Sequence, residues 1–160
     1  MPKLSAGILL YRHGGAGLEV LLVHPGGPFW AKKDDGAWSI PKGEYTPGED
    51  PLSVAKREFE EETGASMDAV TRGDFLSLSP IKQAGGKIVS AWCVAGDFDP
   101  GLLRSNVFQM EWPPKSGRTQ SFPEVDRAAW FTLGDARAKL VVGQRPLLDA
   151  LREWLDVATD

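Results

Sequence analysis

Residues 43–65 read G-E-Y-T-P-G-E-D-P-L-S-V-A-K-R-E-F-E-E-E-T-G-A, and the second half of this stretch has the pattern of a helix. Mostly apolar side chains recur there at spacings of three, four and four, at Leu52, Ala55, Phe59 and Thr63. This spacing places them on one side of an α-helix. Asp50 is a suitable N-cap, Pro51 suits the first helical position, and Gly64 suits the residue just past the end. The sequence therefore predicts a helix over 51–63.

The segments on either side of this helix have the patterns of strands and terminal helices. Residues 3–12 and 18–23 contain apolar runs joined by a glycine-rich turn, which is typical of a hairpin of largely buried strands. Further strands are predicted over 38–40, 69–78, 87–95 and 107–112. A polar loop is predicted over 115–123, an apolar piece over 128–131, and helices over 133–142 and 146–157. This order indicates an α/β fold with a mixed sheet.

Composition limits the class of protein. The chain has 160 residues, 42% of them hydrophobic and 25% charged, which is typical of one folded domain spanning residues 1–160. Its 18 basic and 22 acidic residues give a net charge of −4, which argues against a protein that grips a nucleic-acid backbone. The single cysteine, Cys93, excludes an intramolecular disulfide. Because the apolar runs are too short to span a membrane and the first residues lack a signal-peptide core, we expect a cytoplasmic protein.

Three glutamates of the predicted helix are spaced to share one face. Glu58 lies three residues before Glu61 and four before Glu62, and like charges at these spacings destabilise a helix. The negative end of the helix dipole lies close to them and adds a second cost. A divalent cation such as Mg²⁺ or Mn²⁺ would remove both penalties. The alternative is a solvated acidic face, screened by Arg57 through its i+4 neighbour Glu61.

The same residues belong to a longer pattern. Gly43 is followed by five residues and Glu49, then by seven residues and the run R-E-F-E-E-E-T-G-A, which ends at Ala65. This pattern resembles the Nudix box, the signature of the Nudix hydrolases, in which G, E and R-E-U-x-E-E-x-G-U have these spacings and U is bulky and apolar. Every fixed position matches, and only Ala65 is smaller than usual. Pro41 and Lys42, just before the box, are also common in the family.

The resemblance implies a fold and an activity. The fold would be a Nudix-type α/β/α sandwich with a central mixed β-sheet. The activity would be hydrolysis of a pyrophosphate bond in a nucleoside diphosphate derivative, with Mg²⁺ or Mn²⁺ as cofactor. Glu58, Glu61 and Glu62 would be metal ligands together with the carbonyl of Gly43. Arg57 would orient a carboxylate, and Glu49 would tie the loop to the helix.

A glutamate outside the box completes the site in several family members, six residues before a tryptophan that opens the next strand. Glu124 has this spacing from Trp130, so the resemblance implies that it is a ligand or the general base. The alternative is a surface glutamate in a polar loop. The base could equally be one of the three box glutamates, because the family does not use one position uniformly.

The substrate is less well defined by the sequence. Residues 25–37 form a long Gly/Pro-rich loop, and such loops often carry function. Candidates for stacking on a base are Phe29, Trp30, Trp38, Tyr45 and Trp112, with Trp38 favoured as a packing residue. Candidates for binding outer phosphates are Lys32, Lys33 and Lys42. The expected partner is therefore a small nucleotide, with no membrane and no stable nucleic-acid partner, and the resemblance allows a homodimer.

Four hypotheses about the function stay open. Nucleoside triphosphates or dinucleoside polyphosphates come first, and ADP-ribose or nucleotide sugars come second. A non-catalytic nucleotide sensor is the competing class, but Glu58, Glu61 and Glu62 are all present. A capped-RNA hydrolase is a further option, against which the net charge and the lack of a basic stripe argue.

Overall fold

The computed structural model describes residues 2–159, which form a mixed sheet with helices on both faces. The strands are β1 (Leu4–Gly14), β2 (Gly17–Pro25), β3 (Lys42–Tyr45), β4 (Leu76–Ser77), β5 (Ile81–Lys82), β6 (Ile88–Ala95), β7 (Val107–Glu111), β8 (Thr119–Pro123) and β9 (Val125–Thr132). The helices are α1 (Pro51–Thr63), α2 (Met67–Val70), α3 (Leu133–Lys139) and α4 (Pro146–Thr159). Among the described residues, no helix combines the length and apolar character needed to cross a membrane.

The sheet is organised around β1, whose side chains are buried on both faces. The strand order is β4-β6-β1-β2-β9, and β1 runs parallel to β6. The other edge of β1 is shared, because its first part pairs with β3 and its last part with β2. Ile8 and Leu10 pack toward α1 and Leu9 packs toward the opposite helices, all three fully buried. The predicted hairpin of buried strands is confirmed.

Two hydrophobic cores separate the sheet from its helices. One core contains buried side chains of α1 and α2, including Val54, Phe59 and Met67. The other contains buried side chains of α3 and α4, including Leu147 and Leu151. The fold is therefore the α/β/α sandwich with a central mixed sheet that the sequence predicted.

Helix α1 has the bounds that its capping residues predicted. The carboxylate of Asp50 accepts a hydrogen bond from the backbone N–H of Ser53 at 3.1 Å. At the other end Gly64 has a φ of 80°, and its N–H donates to the carbonyl of Glu60. Glycine adopts this left-handed conformation without the steric cost that a Cβ brings. Phe59 is fully buried in the core, so the side of α1 that carries it packs on the sheet.

The predicted strand over 38–40 is wrong. Ser39 exchanges backbone hydrogen bonds with Val23, and Trp38 forms a single bridge with Leu140. Because each bridge has a different partner and neither extends to a second residue pair, the segment does not form a strand. The strand comes later, at β3, where residues 42–45 pair with β1. The box glycine and the lysine before it are therefore held within the sheet.

Two other predicted segments differ from the structure. Over 69–78, the chain forms the short helix α2 and only two residues of strand, because Glu60 accepts a hydrogen bond from the Met67 N–H at 2.8 Å and starts a helical turn. The predicted loop over 115–123 contains β8, which pairs antiparallel with β7. The paired residues run from Val107 with Pro123 to Glu111 with Thr119. This hairpin stands apart from the main sheet, so most of its side chains face water and its composition is polar. The predicted helix 133–142 ends at Lys139.

Candidate active site

Strand β3 and helix α1 meet at Gly43 and Glu58. A Cβ atom at position 43 would lie 2.1 Å from Cδ of Glu58 and 2.4 Å from its Oε1. Real Cβ atoms do not approach other heavy atoms so closely, so the Glu58 carboxylate occupies the space that a side chain at residue 43 would need. The glycine of the box is required here by contact rather than by an unusual backbone conformation.

Arg57 connects the loop before α1 with the carboxylates on the helix. Its guanidinium lies 3.7 Å from Oε2 of Glu49, 3.6 Å from Oε1 of Glu58 and 3.9 Å from Oε1 of Glu61. Glu49 in turn accepts hydrogen bonds from the N–H and hydroxyl of Thr46, and the backbone hydrogen bond is the main cause that lowers its pKa. Arg57 therefore lies within ion-pair distance of all three carboxylates and partly neutralises them.

Glu62 is the most strongly perturbed carboxylate of the box. Its Oε1 accepts a hydrogen bond from the backbone N–H of Lys42 at 3.3 Å. Burial, followed by the charges of Glu58 and Glu124, raises the pKa of Glu62 to about 8. Burial and the charge of Glu61 also raise the pKa of Glu58. The site thus concentrates carboxylates whose negative charge Arg57 and Lys42 compensate only in part.

Glu62 and Glu124 lie together at a cavity of about 320 Å³. Its polar lining consists of Ser39, Lys42, Glu62, Gln83, Lys87, Glu124 and Gln144. Its apolar lining consists of Val23, Pro25, Trp30, Ala37, Ile40, Val125 and Val141. Burial is the main cause that lowers the pKa of Lys42, and the charge of Lys87 lowers it further, so the two lysines are electrostatic neighbours. The cavity therefore presents carboxylates and ammonium groups in one space.

Backbone hydrogen bonds fix Glu124 relative to α1. The N–H of Asn106 donates to the carbonyl of Glu61 at 2.9 Å, and the N–H of Glu124 donates to the carbonyl of Asn106 at 2.8 Å. The carbonyl of Glu124 then accepts from the N–H of Gly26 at 3.0 Å. These bonds connect the end of α1, the segment before the hairpin and the start of the loop 26–37. A residue 62 positions after Glu62 in the chain is thereby brought beside it.

The donor chemistry of this region suits a hard divalent cation. The carboxylates of Glu58, Glu61, Glu62 and Glu124 and the carbonyl of Gly43 offer only oxygen atoms, the ligands that Mg²⁺ and Mn²⁺ prefer. Within residues 2–159, no three acidic, histidine or cysteine side chains are already arranged to hold a metal. Burial first, and then the charges of neighbouring carboxylates, raise the pKa values of Glu58 and Glu62, so a divalent cation bound beside them would favour their ionised forms.

His24 anchors the loop 26–37 beside the cavity. It is fully buried, with Nδ1 2.7 Å from Oδ1 of Asp126 and Nε2 2.6 Å from the carbonyl oxygen of Lys33. Because a carbonyl only accepts, Nε2 carries a proton and donates it to Lys33. The histidine thus fastens the middle of the loop to β9, and its role is structural, consistent with the absence of a catalytic pattern around it in the sequence.

Several sequence candidates lie away from the cavity. Tyr45 is half-buried against the core under α1 and borders a separate groove near the N-terminus. Lys32 is exposed and does not line the cavity, and the ammonium of Lys33 lies 5.0 Å from the ring centre of Trp30. Phe29 does not line the cavity and instead contacts Trp112, with ring centres 5.4 Å apart. Trp38 is a core residue, 3% exposed.

Three residues that line the cavity are not marked as site residues by any pattern around them in the sequence. Lys87 and Gln83 flank the Gly85-Gly86 turn, which the sequence marks only as a turn. Gln144 is fully buried, accepts a hydrogen bond from the Ile40 N–H and donates one to Ser39. A lysine placed just after a glycine pair before a strand is a weak signal, and a glutamine some 80 residues beyond the helix offers none.

Comparison with known proteins identifies the family. The profile of the NUDIX domain matches residues 1–151. The chain belongs to the Nudix family. An RNA pyrophosphohydrolase of Rhodospirillum rubrum is 42% identical to it over 161 residues, which cover 99% of this chain and 80% of that protein. The chain is accordingly a Nudix pyrophosphohydrolase, and enzymes of this family generally use divalent metal ions.

Two solved structures have the same fold at lower identity. The Ap4A hydrolase of C. elegans, in a binary complex, aligns with a TM-score of 0.65 at 22% identity, covering 95% of this chain and 98% of that one. The NUDIX domain of Shewanella oneidensis NrtR, complexed with ADP ribose, aligns with a TM-score of 0.60 at 17% identity, covering 97% and 89%. These likenesses confirm the Nudix sandwich.

Proposed function

We propose that this Nudix enzyme hydrolyses a pyrophosphate bond in a nucleoside 5′-polyphosphate, with nucleoside triphosphates and dinucleoside polyphosphates as the first substrates to test. The observation that carries this proposal is the cavity where Glu62 and Glu124 lie together with Lys42 and Lys87. A polyphosphate chain needs positive charge along its length. The two lysine ammonium groups can supply it directly, whereas the carboxylates can do so only through a bound metal ion. A neutral or singly charged substrate would have no use for both ammonium groups.

Glu58, Glu61, Glu62 and Glu124 would hold the divalent ion together with the carbonyl of Gly43. The chemistry that Mg²⁺ or Mn²⁺ supplies in such sites is neutralisation of phosphate oxygens and easier ionisation of a water. Arg57 holds Glu58 and Glu61 in place through its guanidinium. One of the four carboxylates takes the proton from the attacking water, and Glu124 is the first candidate because it lies on a separate segment facing α1.

The 5′ end of RNA is the second candidate substrate. It is favoured by the 42% identity to an RNA pyrophosphohydrolase over nearly the whole chain. The net charge of −4 argues against a long RNA track, but a triphosphorylated 5′ end presents the same pyrophosphate group as a free nucleotide. The charge of the protein therefore does not separate these two substrates.

Chromatographic separation of the nucleotide, phosphate and pyrophosphate products formed with Mg²⁺ or Mn²⁺ tests the proposal on a panel of nucleoside triphosphates, dinucleoside polyphosphates, 5′-triphosphorylated RNA, ADP-ribose and nucleotide sugars. We expect metal-dependent turnover of at least one of the first three substrate classes. Its rate should be at least tenfold above the rates for ADP-ribose and nucleotide sugars. ADP-ribose or a nucleotide sugar as the best substrate would overturn the choice of substrate. Binding without any turnover would favour the sensor reading.

Replacing Lys87 by Gln should raise KM for the polyphosphate substrate by roughly tenfold while changing kcat little. One ammonium–phosphate contact of this kind contributes about 1.5–3 kcal/mol, and Lys42 remains to hold part of the charge. Lys82→Gln is the matched control, because Lys82 is exposed on the neighbouring strand and does not line the cavity. Steady-state kinetics that show equal KM values for both variants would remove Lys87 from the substrate site.

A homodimer and a cytoplasmic location remain predictions. Sedimentation velocity of the purified protein at micromolar concentration measures the oligomeric state directly.

A further inference from the structure

Two consecutive aromatic side chains of the loop 26–37, one lining the cavity and the next outside it, are exposed to water. Phe29 is 61% exposed and Trp30 is 38% exposed. Trp30 lines the cavity, whereas Phe29, the next residue outward, does not. Large apolar surface left in water at the edge of a binding cavity is typical of a contact surface for a ligand.

The hairpin β7–β8 packs on this loop and adds a third aromatic side chain. Phe29 and Trp112 are in edge-to-face contact, with ring centres 5.4 Å apart and planes at 81°. Phe108 packs on Gly27, where a Cβ would lie 3.0 Å from the ring and φ is 95°. Glycine therefore allows the loop to approach the hairpin closely. We call Phe29 and Trp112 the aromatic pair.

The aromatic pair is held at a fixed place relative to the reacting carboxylates. The hairpin ends at Pro123, and the next residue, Glu124, is hydrogen-bonded through its carbonyl to the N–H of Gly26. Phe29 is three residues from Gly26, whereas Trp112 lies at the turn end of the hairpin, away from Glu124, and is joined to the loop through its contact with Phe29.

We propose that the aromatic pair stacks on a second nucleobase of the substrate, while the first nucleoside and its polyphosphate occupy the cavity. This inference rests on the proposed function. Aromatic side chains stack on any base, and the stacking of one base changes affinity by roughly 5- to 150-fold. Because a nucleoside triphosphate has no second base, its binding does not use the pair. A dinucleoside polyphosphate and a 5′-triphosphorylated oligonucleotide both supply one.

The test compares three compounds with wild-type enzyme and variants: ATP, diadenosine tetraphosphate and the triphosphorylated dinucleotide pppApA. We expect Phe29→Leu and Trp112→Leu to raise KM at least tenfold for one or both of the two-base compounds and less than twofold for ATP. Trp112→Phe should keep most of the wild-type affinity because it keeps a ring. Trp154→Leu, which removes a tryptophan 36% exposed on α4, is the control.

The outcomes separate the stacking site from the proposed function. An effect on only one of the two-base compounds identifies the source of the base. Equal losses for ATP and the two-base compounds, or no loss for any, overturn the stacking site. Isothermal titration with Mg²⁺ in the Glu62→Gln background, where we expect cleavage too slow to interfere, repeats the comparison on Kd. If the wild type cleaves none of the three, the proposed function is wrong, and the Kd ratios alone decide whether the aromatic pair binds a second base.

Discussion

Glu62→Gln should lower kcat by on the order of 10³-fold or more at saturating Mg²⁺, because it removes the charge of a proposed metal ligand, and such a ligand contributes several kcal/mol to stabilising the transition state. The amide retains an oxygen that can accept the Lys42 N–H, so the backbone contact between β3 and α1 is kept. The matched control is Glu60→Gln on the same helix. Glu60 faces the other way and accepts from the Met67 N–H, a role that an amide also fills. Wild-type kcat in Glu62→Gln would contradict the proposed site.

The same variant should be more stable than the wild type when metal is absent. Glu62 has a folded-state pKa of about 8 against an ordinary 4.5, so its contribution to stability is fully present below pH 4.5 and is lost as the pH rises through 8. Thermal unfolding in EDTA should therefore show a Tm advantage for Glu62→Gln that grows between pH 5 and pH 8.5. Each kcal/mol corresponds to roughly 2–4 °C in a chain of this length. Added Mg²⁺ should make the wild type the more stable of the two proteins. A Tm difference that stays constant across this pH range would show that the surroundings of Glu62 do not raise its pKa.

Gly43→Ala should lower kcat/KM by roughly 100-fold or more, although it is a small change that retains the backbone carbonyl. The new Cβ would lie 2.1 Å from Cδ of Glu58, so the Glu58 side chain has to rotate away from the position it holds against β3. Loss of support for a metal ligand typically costs 10- to 100-fold, and displacement of the ligand itself costs more. The fold should survive, because overpacking of this kind costs about 1–3 kcal/mol.

Gly48→Ala is the control for this substitution. Gly48 lies in the loop between β3 and α1, nothing lies within 4 Å of a Cβ built there, and its φ is not in the left-handed region. Kinetic constants and Tm values for both variants test whether residue 43 must be glycine to leave space for the Glu58 side chain. If Gly43→Ala kept full activity, Glu58 would not need its place against Gly43, and its assignment as a ligand would be wrong.

The helix and its chemistry could be predicted from the sequence because their determinants are local. Asp50 and Gly64 cap α1 within a few residues, and the spacing of Phe59 fixes which side of the helix is buried. The same period places Glu58 and Glu62 on the other side. The fold class was predictable for a related reason, since the buried strands around Leu9 carry continuous apolar runs that only a sheet covered on both faces accommodates.

The sequence was less informative where pairing depends on distant partners. Segment 38–40 has the composition of a strand but bridges Val23 and Leu140, which lie on different sides of it. Segment 119–123 has the composition of a loop but pairs with β7, because a hairpin outside the main sheet needs no apolar face. Strand formation is a property of the partner as much as of the segment.

What the sequence by itself determined is the set of box residues, since the spacing from Gly43 to Gly64 is a property of one continuous stretch. Only the tertiary structure decided what surrounds that set. It places Lys87 in the cavity through a turn between β5 and β6, and it pairs Phe29 with Trp112 across 83 positions of chain. The physical reason is that a helix encodes its own geometry through neighbours three and four residues apart, whereas a binding cavity is the space left between segments whose separation in sequence has no fixed relation to their separation in space.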